Sequence, residues 1–235
     1  MNFKIHYGVM GCLVAALVAG HAQTVNVNLV GKKGLNPMQT LNGTSYAAGI
    51  SPMAYTGNYW TDTGSLKAEG LSDSNGIKTS IGYQFKLQAN RMIVFSNPTA
   101  GKRILANYLA VRVAEGAPPP TISTITIQGL EPARAYDIAL VSQGDQKGQG
   151  GEFTIDGILK ISTGTLPAGG LEEGVSYVEF KKIAASGKGT INITWKSRAE
   201  TEEHYAILNA FQIVPSKQNV KEVPETTSYA SLFFP

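Results

Sequence analysis

The sequence predicts an all-β fold, a two-sheet antiparallel sandwich, and three observations predict it. Apolar and polar residues alternate with period two along several stretches, glycine-bearing polar turns separate those stretches, and helical periodicity is almost absent. Glycine, at 26 of 235 residues, and a charged fraction of only 16% exclude the charged, apolar-poor composition of a disordered chain.

Val25, Val27 and Leu29 alternate with Asn26 and Asn28, which predicts a first strand. Residues 36–70 read as a long loop rich in Gly, Ser, Thr, Asn and aromatics, a length that is often functional in a compact domain. The Asp73-Ser74-Asn75-Gly76 run predicts a tight reversal. After it Ile77, Thr79, Ile81, Tyr83, Phe85 and Leu87 alternate with Lys78, Ser80, Gly82, Gln84 and Lys86, which predicts one strand over 77–87. Residues 102–112 offer the only helix-like stretch, and Pro118-Pro119-Pro120 forces an extended segment after it.

Residues 123–128 predict a strand closed by Gly129 and the Glu131-Pro132 turn. Residues 134–142 then place Tyr136, Ile138 and Leu140 on one face. A hairpin about Asp156-Gly157 is expected over 152–161, with Phe153 and Ile155 before the turn and Leu159 and Ile161 after it. Strands over 176–183 and 190–196 follow, the second with Ile191, Ile193 and Trp195 inward. Residues 205–214 read as one last strand, Ile207, Asn209, Phe211 and Ile213 alternating against Leu208 and Ala210. Strands recurring roughly every 10 to 20 residues without intervening helices argue for two packed sheets, with a jelly roll as the expected arrangement.

The N-terminus sets the expected compartment. Lys4 is the only formal charge in the first 31 residues, the apolar run Val9 to Ala19 follows, and Gly20-His21-Ala22 closes it with small residues. That order predicts a signal peptide over residues 1–22, too short to span a bilayer, and hence an exported, secreted or cell-surface protein. Removing residues 1–22 of 235 leaves 213, enough for one sandwich domain over 23–215. It also removes Cys12, His6 and His21, so the mature chain is expected to lack disulfides. The formal net charge of +3 and the absence of a basic cluster give no support to nucleic-acid binding.

Several segments together resemble a family of exported bacterial jelly-roll proteins, similar to galactose-binding-like domains, that carry a PEP-CTERM sorting signal. They are VNVNLV, GLSDSNGIKTSIGYQF, ILANYLAVR, TISTITIQGLEPARAYDIALVSQG, GGEFTIDG, GTINITW and YAILNAFQIVP, in order across roughly residues 25–215. Thr124 to Gly144 is the most specific block. The tail over 216–235 holds VPETTSYASLFFP, which resembles the start of the sorting signal, although Thr226 stands where the family has a second proline. The family's signal continues into an apolar helix and a basic cluster; this sequence stops at Pro235, so no membrane span is expected from that end. Together with the export signal and the strand pattern, the resemblance leads to the expectation of a non-catalytic surface β-sandwich that binds carbohydrate or contributes to extracellular matrix, with an extracellular polysaccharide as partner class. A purely structural or adhesive surface protein and a carboxylate-based glycan hydrolase are the alternatives.

Catalysis finds no obvious apparatus. Beyond residue 22 the one histidine is His204, in the acidic run 200–204 that reads as a solvated loop, and no Gly-x-Ser-x-Gly elbow occurs. The acidic residues are scattered and select no pair for a carboxylate-based hydrolase. The glycine-rich 144–151 segment joins two strands and is no phosphate cradle. A ligand site is expected instead at Tyr55, Asn58, Tyr59, Trp60 and Asp62, where rings could stack on sugar faces beside amide and carboxylate groups. The plainer alternative is that Trp60 caps the core beneath its own loop. Asp62, Asp73 and Asn75 offer oxygen ligands for a structural calcium, but the Asp-Ser-Asn-Gly stretch lacks the rest of an EF-hand loop and reads more simply as a turn; no cofactor is expected.

Overall fold

The computed structural model describes residues 24–29, 44–45, 52–53, 59–87, 91–96, 103–105, 107–112, 122–144, 147–164, 171–198 and 205–217. The expected signal peptide, Tyr55, Asn58, the 200–204 run and the tail from residue 218 lie outside them.

Among the described residues the chain forms, in order, β1 (Val25–Leu29), β2 (Thr44–Ser45), β3 (Tyr59–Thr63), β4 (Lys67–Ala68), β5 (Gly82–Lys86), β6 (Arg91–Ser96), a 3-10 turn (Arg103–Leu105) and β7 (Asn107–Arg112). Then come β8 (Ser123–Gln128), β9 (Ala135–Val141), β10 (Gly151–Ile155), β11 (Ile158–Ser162), β12 (Tyr177–Ala184), β13 (Ile191–Lys196), β14 (Tyr205–Leu208) and β15 (Ala210–Pro215). One six-stranded sheet runs β12-β9-β15-β1-β3-β2 and a second runs β11-β10-β13-β8-β5-β4. A three-stranded sheet, β14-β7-β6, adds to them. All pairings are antiparallel except β1 with β3, which is parallel. The protein is therefore an all-β sandwich, as the alternation predicts.

The alternation places the core. Val27, Phe211, Ile138 and Phe180 from the first sheet meet Tyr83, Ile125, Phe153, Ile193 and Trp195 from the second, all buried. The rings of Phe153 and Trp195 stack with centroids 6.3 Å apart and planes 3° apart, while Tyr83 meets Phe211 edge to face at 5.4 Å. Pairs of this kind add about 1 kcal/mol beyond their buried area.

Four expectations are corrected. The strand over 77–87 begins only at Gly82, and Ile77 is 60% exposed. Residues 71–81 fold back on themselves instead, because Asp73 Oδ1 accepts the N–H groups of Asn75 and Ile77, and Leu71 N–H donates to the Ile81 carbonyl. The helix-like stretch over 102–112 is a short 3-10 turn followed by β7. Both faces of β7 are wanted by cores: Leu109 and Val111 enter the main one, while Tyr108 and Ala110 pack with Ile207. The 36–70 segment contains three strands rather than one long loop.

The fourth correction is that 205–214 is two strands. The chain breaks at Asn209, and the parity of the buried residues changes there: Ala206 and Leu208 enter the main core before it, Phe211 and Ile213 after it. Asn209 secures the break with its side chain, whose Oδ1 accepts Gln143 N–H at 2.7 Å and whose Nδ2 donates to the Asn107 carbonyl at 2.9 Å. An amide holding two backbone groups satisfies what a strand interruption would otherwise leave unpaired.

Candidate functional site

The side of the first sheet that faces away from the sandwich core is the candidate site. Strand alternation sends Val25, Val27 and Leu29 inward and therefore turns Asn26 and Asn28 to that outer side. In the same way Gln212 of β15 stands between the inward Phe211 and Ile213. β3 lies beside β1 in parallel register, with Asn28 opposite Asp62, which puts Trp60 and Asp62 on the outer side as well.

These polar side chains are buried and tied in a row. Gln212 Nε2 donates to Asn26 Oδ1 at 2.8 Å, and Gln212 Oε1 accepts the N–H of Met53 at 3.0 Å. Asn26 Nδ2 donates to the Tyr59 carbonyl at 3.0 Å, and Asn28 Nδ2 donates to Asp62 Oδ1 at 3.0 Å. Among the described residues, Asn28 Oδ1 has no hydrogen-bond partner although Asn28 is fully buried. A buried amide oxygen in that state costs about 1–3 kcal/mol, so it marks a place where a donor is wanted.

The structure distributes the expected site residues unequally. Trp60 is fully buried and packs with Ile104, Leu105, Val141 and Ala210, so it underlies the site and presents no face at the surface. Asp62 is 3% exposed and joins the polar row. Tyr59 is half-buried at the rim, and its ring lies on the turn after Asp73: a Cβ added to Gly76 would sit 3.4 Å from Tyr59 Cδ2. Tyr55 and Asn58 lie outside the described residues. Asn26, Asn28 and Gln212 were not legible as site residues, because asparagine alternating with valine reads as the wet side of a strand. The available signal was two amides spaced by two in the first strand and a third in the last.

Asp62 and Asp73 are both buried, and Asp73 Oδ1 is occupied by the two N–H groups of its own turn. Among the described residues no group of three or more His, Cys, Asp or Glu side chains converges. Glu152, Glu173, Glu179, Glu131 and Glu69 each pair with a lysine or arginine. The Glu69 and Glu173 carboxyls are held below the usual range chiefly by hydrogen bonds from Lys67 and Lys160, the opposite of what a general acid needs. Also among the described residues, no helix is long and apolar enough to cross a membrane.

No protein-family model and no curated protein matches the chain. Solved structures do. TmCBM61 in complex with β-1,4-galactotriose is similar at 12% identity and a TM-score of 0.35, over 57% of this chain and 88% of that one. CBM32-3 from a family 31 glycoside hydrolase of Clostridium perfringens is similar at 15% identity and a TM-score of 0.28, over 56% and 92%. The ANX2 ectodomain from Arabidopsis thaliana gives 7% identity and a TM-score of 0.42, over 82% of this chain and 42% of that one.

Proposed function

We propose that the chain is an exported, non-catalytic β-sandwich, secreted or at the cell surface, that binds carbohydrate at the rim where β3 begins, beside Tyr59. The observation that carries this reading is Tyr59, an aromatic side chain left half-exposed at the start of β3 with its ring on the Gly76 turn. A sugar brings an apolar ring face that stacks on such a ring, together with several hydroxyls. The Asn26 amide holds the Tyr59 carbonyl, and Trp60, buried on the opposite side of β3 from Tyr59, keeps the strand in place.

Affinity electrophoresis through gels cast with a panel of extracellular polysaccharides tests it. The wild-type chain is expected to be retarded by at least one of them. Tyr59→Ala, at a half-exposed position, is expected to weaken retention about tenfold, or about 1.4 kcal/mol, without lowering the melting temperature. Free migration of the wild-type chain through every gel would overturn the reading, as would full retention of the Tyr59→Ala variant.

A second reading, a structural or adhesive surface protein, is favoured by one separate observation: the apolar edge at β11.

A further inference from the structure

A sheet edge is a row of unpaired N–H and C=O groups, and stable monomers guard such rows. Three of the four outer strands of the two large sheets are guarded here. β2 and β4 are two residues long, and β4 is flanked by the Lys67–Glu69 ion pair. β12 carries a bulge between Phe180 and Ile183, with Lys182 at a φ of 57° and exposed lysines at 181 and 182. β11 has neither the shortness nor the bulge, and its one charge, Lys160, is drawn aside to Glu173. It is five residues long, and Ile158, Leu159 and Ile161 are 49%, 52% and 40% exposed.

The hairpin fixes which groups of β11 are free. Asp156 and Gly157 form the two-residue turn with φ of 49° and 79°, and Ile155 is opposite Ile158. A turn of this type makes its flanking residues a hydrogen-bonded pair, and the bonds then alternate. Ile158, Lys160 and Ser162 therefore bond to β10, while Leu159 and Ile161 direct their N–H and C=O groups to the open side. The next odd residue agrees, since Thr163 N–H already donates away from β10, to the Gly174 carbonyl. Leu159 lies opposite Thr154 and Ile161 opposite Glu152, so both side chains stand on the outer side, away from the buried Phe153 and Ile155.

We propose that β11 pairs antiparallel with β11 of a second copy of this chain, about a two-fold axis at Lys160. In that register Leu159 faces Ile161 of the second copy and Ile161 faces its Leu159. Every free backbone group of the four residues is then paired, and every exposed apolar side chain of the outer side meets another. Centring the axis on Leu159 would set Ile161 against the turn. Centring it on Ile161 would set Leu159 against Thr163, whose N–H is taken. The two Lys160 side chains come opposite each other, but each ammonium lies 2.7 Å from its own Glu173 and 6.0 Å over the Phe180 ring, so the pair is locally neutralised. The β11-edged sheets of the two copies join into one of twelve strands. A single strand pair is a small interface, so the association is weak and concentration-dependent. It does not depend on the chain binding a glycan.

Sedimentation equilibrium over a concentration series is expected to give a monomer–dimer equilibrium, abolished by the Leu159→Lys/Ile161→Lys variant with its melting temperature kept. The register is tested by oxidation in a Cys12→Ser background, since facing residues that share no hydrogen bonds lie about 4.5 Å apart at Cα, close enough for a disulfide. Lys160→Cys should yield at least ten times more covalent dimer than Thr154→Cys on the adjacent strand. A wild-type chain that stays monomeric, a dimer that survives the double lysine variant, or equal cross-linking at the two positions would each overturn the proposal. So would a monomer whose Leu159 and Ile161 amides gain exchange protection only when an unrelated extended peptide is added.

Discussion

Asn28 and Asp62 stand opposite each other across the parallel β1–β3 pair, and the Asn28 amide donates to the Asp62 carboxylate over 3.0 Å. The contact joins two strands 34 residues apart in the chain. It sets a polar row on the outer side of the sheet, beside the apolar cluster of Trp60, Ile104, Leu105, Val141 and Ala210.

Breaking that contact from one end should be worse than removing it whole. Asp62→Leu leaves the buried Asn28 amide with neither end bonded and is expected to destabilise the fold by about 1–3 kcal/mol. The Asn28→Leu/Asp62→Leu double variant should lose at least about 0.5 kcal/mol less than the sum of the two single changes. Urea denaturation of the four proteins checks this, and strict additivity would mean that the bond contributes nothing.

Tyr83 predicts an alkaline transition. Burial pushes its phenol from 10.0 up to about 12, against a smaller downward pull from the Thr63 hydroxyl that donates to it. The folded state therefore keeps a proton that the unfolded state gives up near pH 10. The stabilisation is complete below about pH 10 and is lost as pH rises towards 12, on the order of 2 kcal/mol in all. Tyr83→Phe removes that pH dependence. It also removes the hydroxyl's own bond to the Ser65 carbonyl, so the variant is expected to be about 1 kcal/mol less stable at neutral pH. Tyrosinate absorbance, followed together with circular dichroism across this range, checks the expectation; a steep loss of stability that survives in Tyr83→Phe would refute it.

Two turn glycines are expected to respond unequally. Gly129 has a φ of 74°, and a Cβ there would lie 2.0 Å from the Ser80 carbonyl oxygen, so both the backbone and its neighbour must move. Gly129→Ala is expected to cost roughly 3 kcal/mol. Gly157 has a φ of 79° with nothing within 4 Å, and asparagine tolerates that conformation, so Gly157→Asn should cost less than about 1 kcal/mol. Melting temperatures of the two variants would separate these outcomes clearly.

The contrast shows what the sequence could and could not convey. Local chemistry was legible: Asp156-Gly157 makes its hairpin, Gly129 ends β8, and the Ile125, Ile127, Ile191 and Ile193 alternation marks one side of a sheet. What depended on distant partners was not. Asn209 sits in an unbroken alternation, and only Gln143 and Asn107 turn it into a break between two sheets. Residues 107–112 have helix-like composition, but two different cores compete for their opposite sides. Trp60 has the sequence surroundings of an exposed platform, and Ile104, Leu105, Val141 and Ala210 cover it. Asn26 and Asn28 look solvated because nothing local reveals Gln212, 186 residues from Asn26.

Gln143 carries the last prediction. Its backbone N–H is bonded to Asn209, yet its fully buried side-chain amide has no partner on either nitrogen or oxygen among the described residues. Each unmet group costs free energy, whereas methionine has nearly the same shape and demands no hydrogen bond. Gln143→Met is therefore expected to stabilise the fold by about 1 kcal/mol and raise the melting temperature by about 2–4 °C. Most buried substitutions do the reverse, so the sign is diagnostic. A fall in melting temperature would mean that the amide has partners in solution, ordered water or residues outside those described, and that the joint between β9 and β15 is satisfied rather than strained.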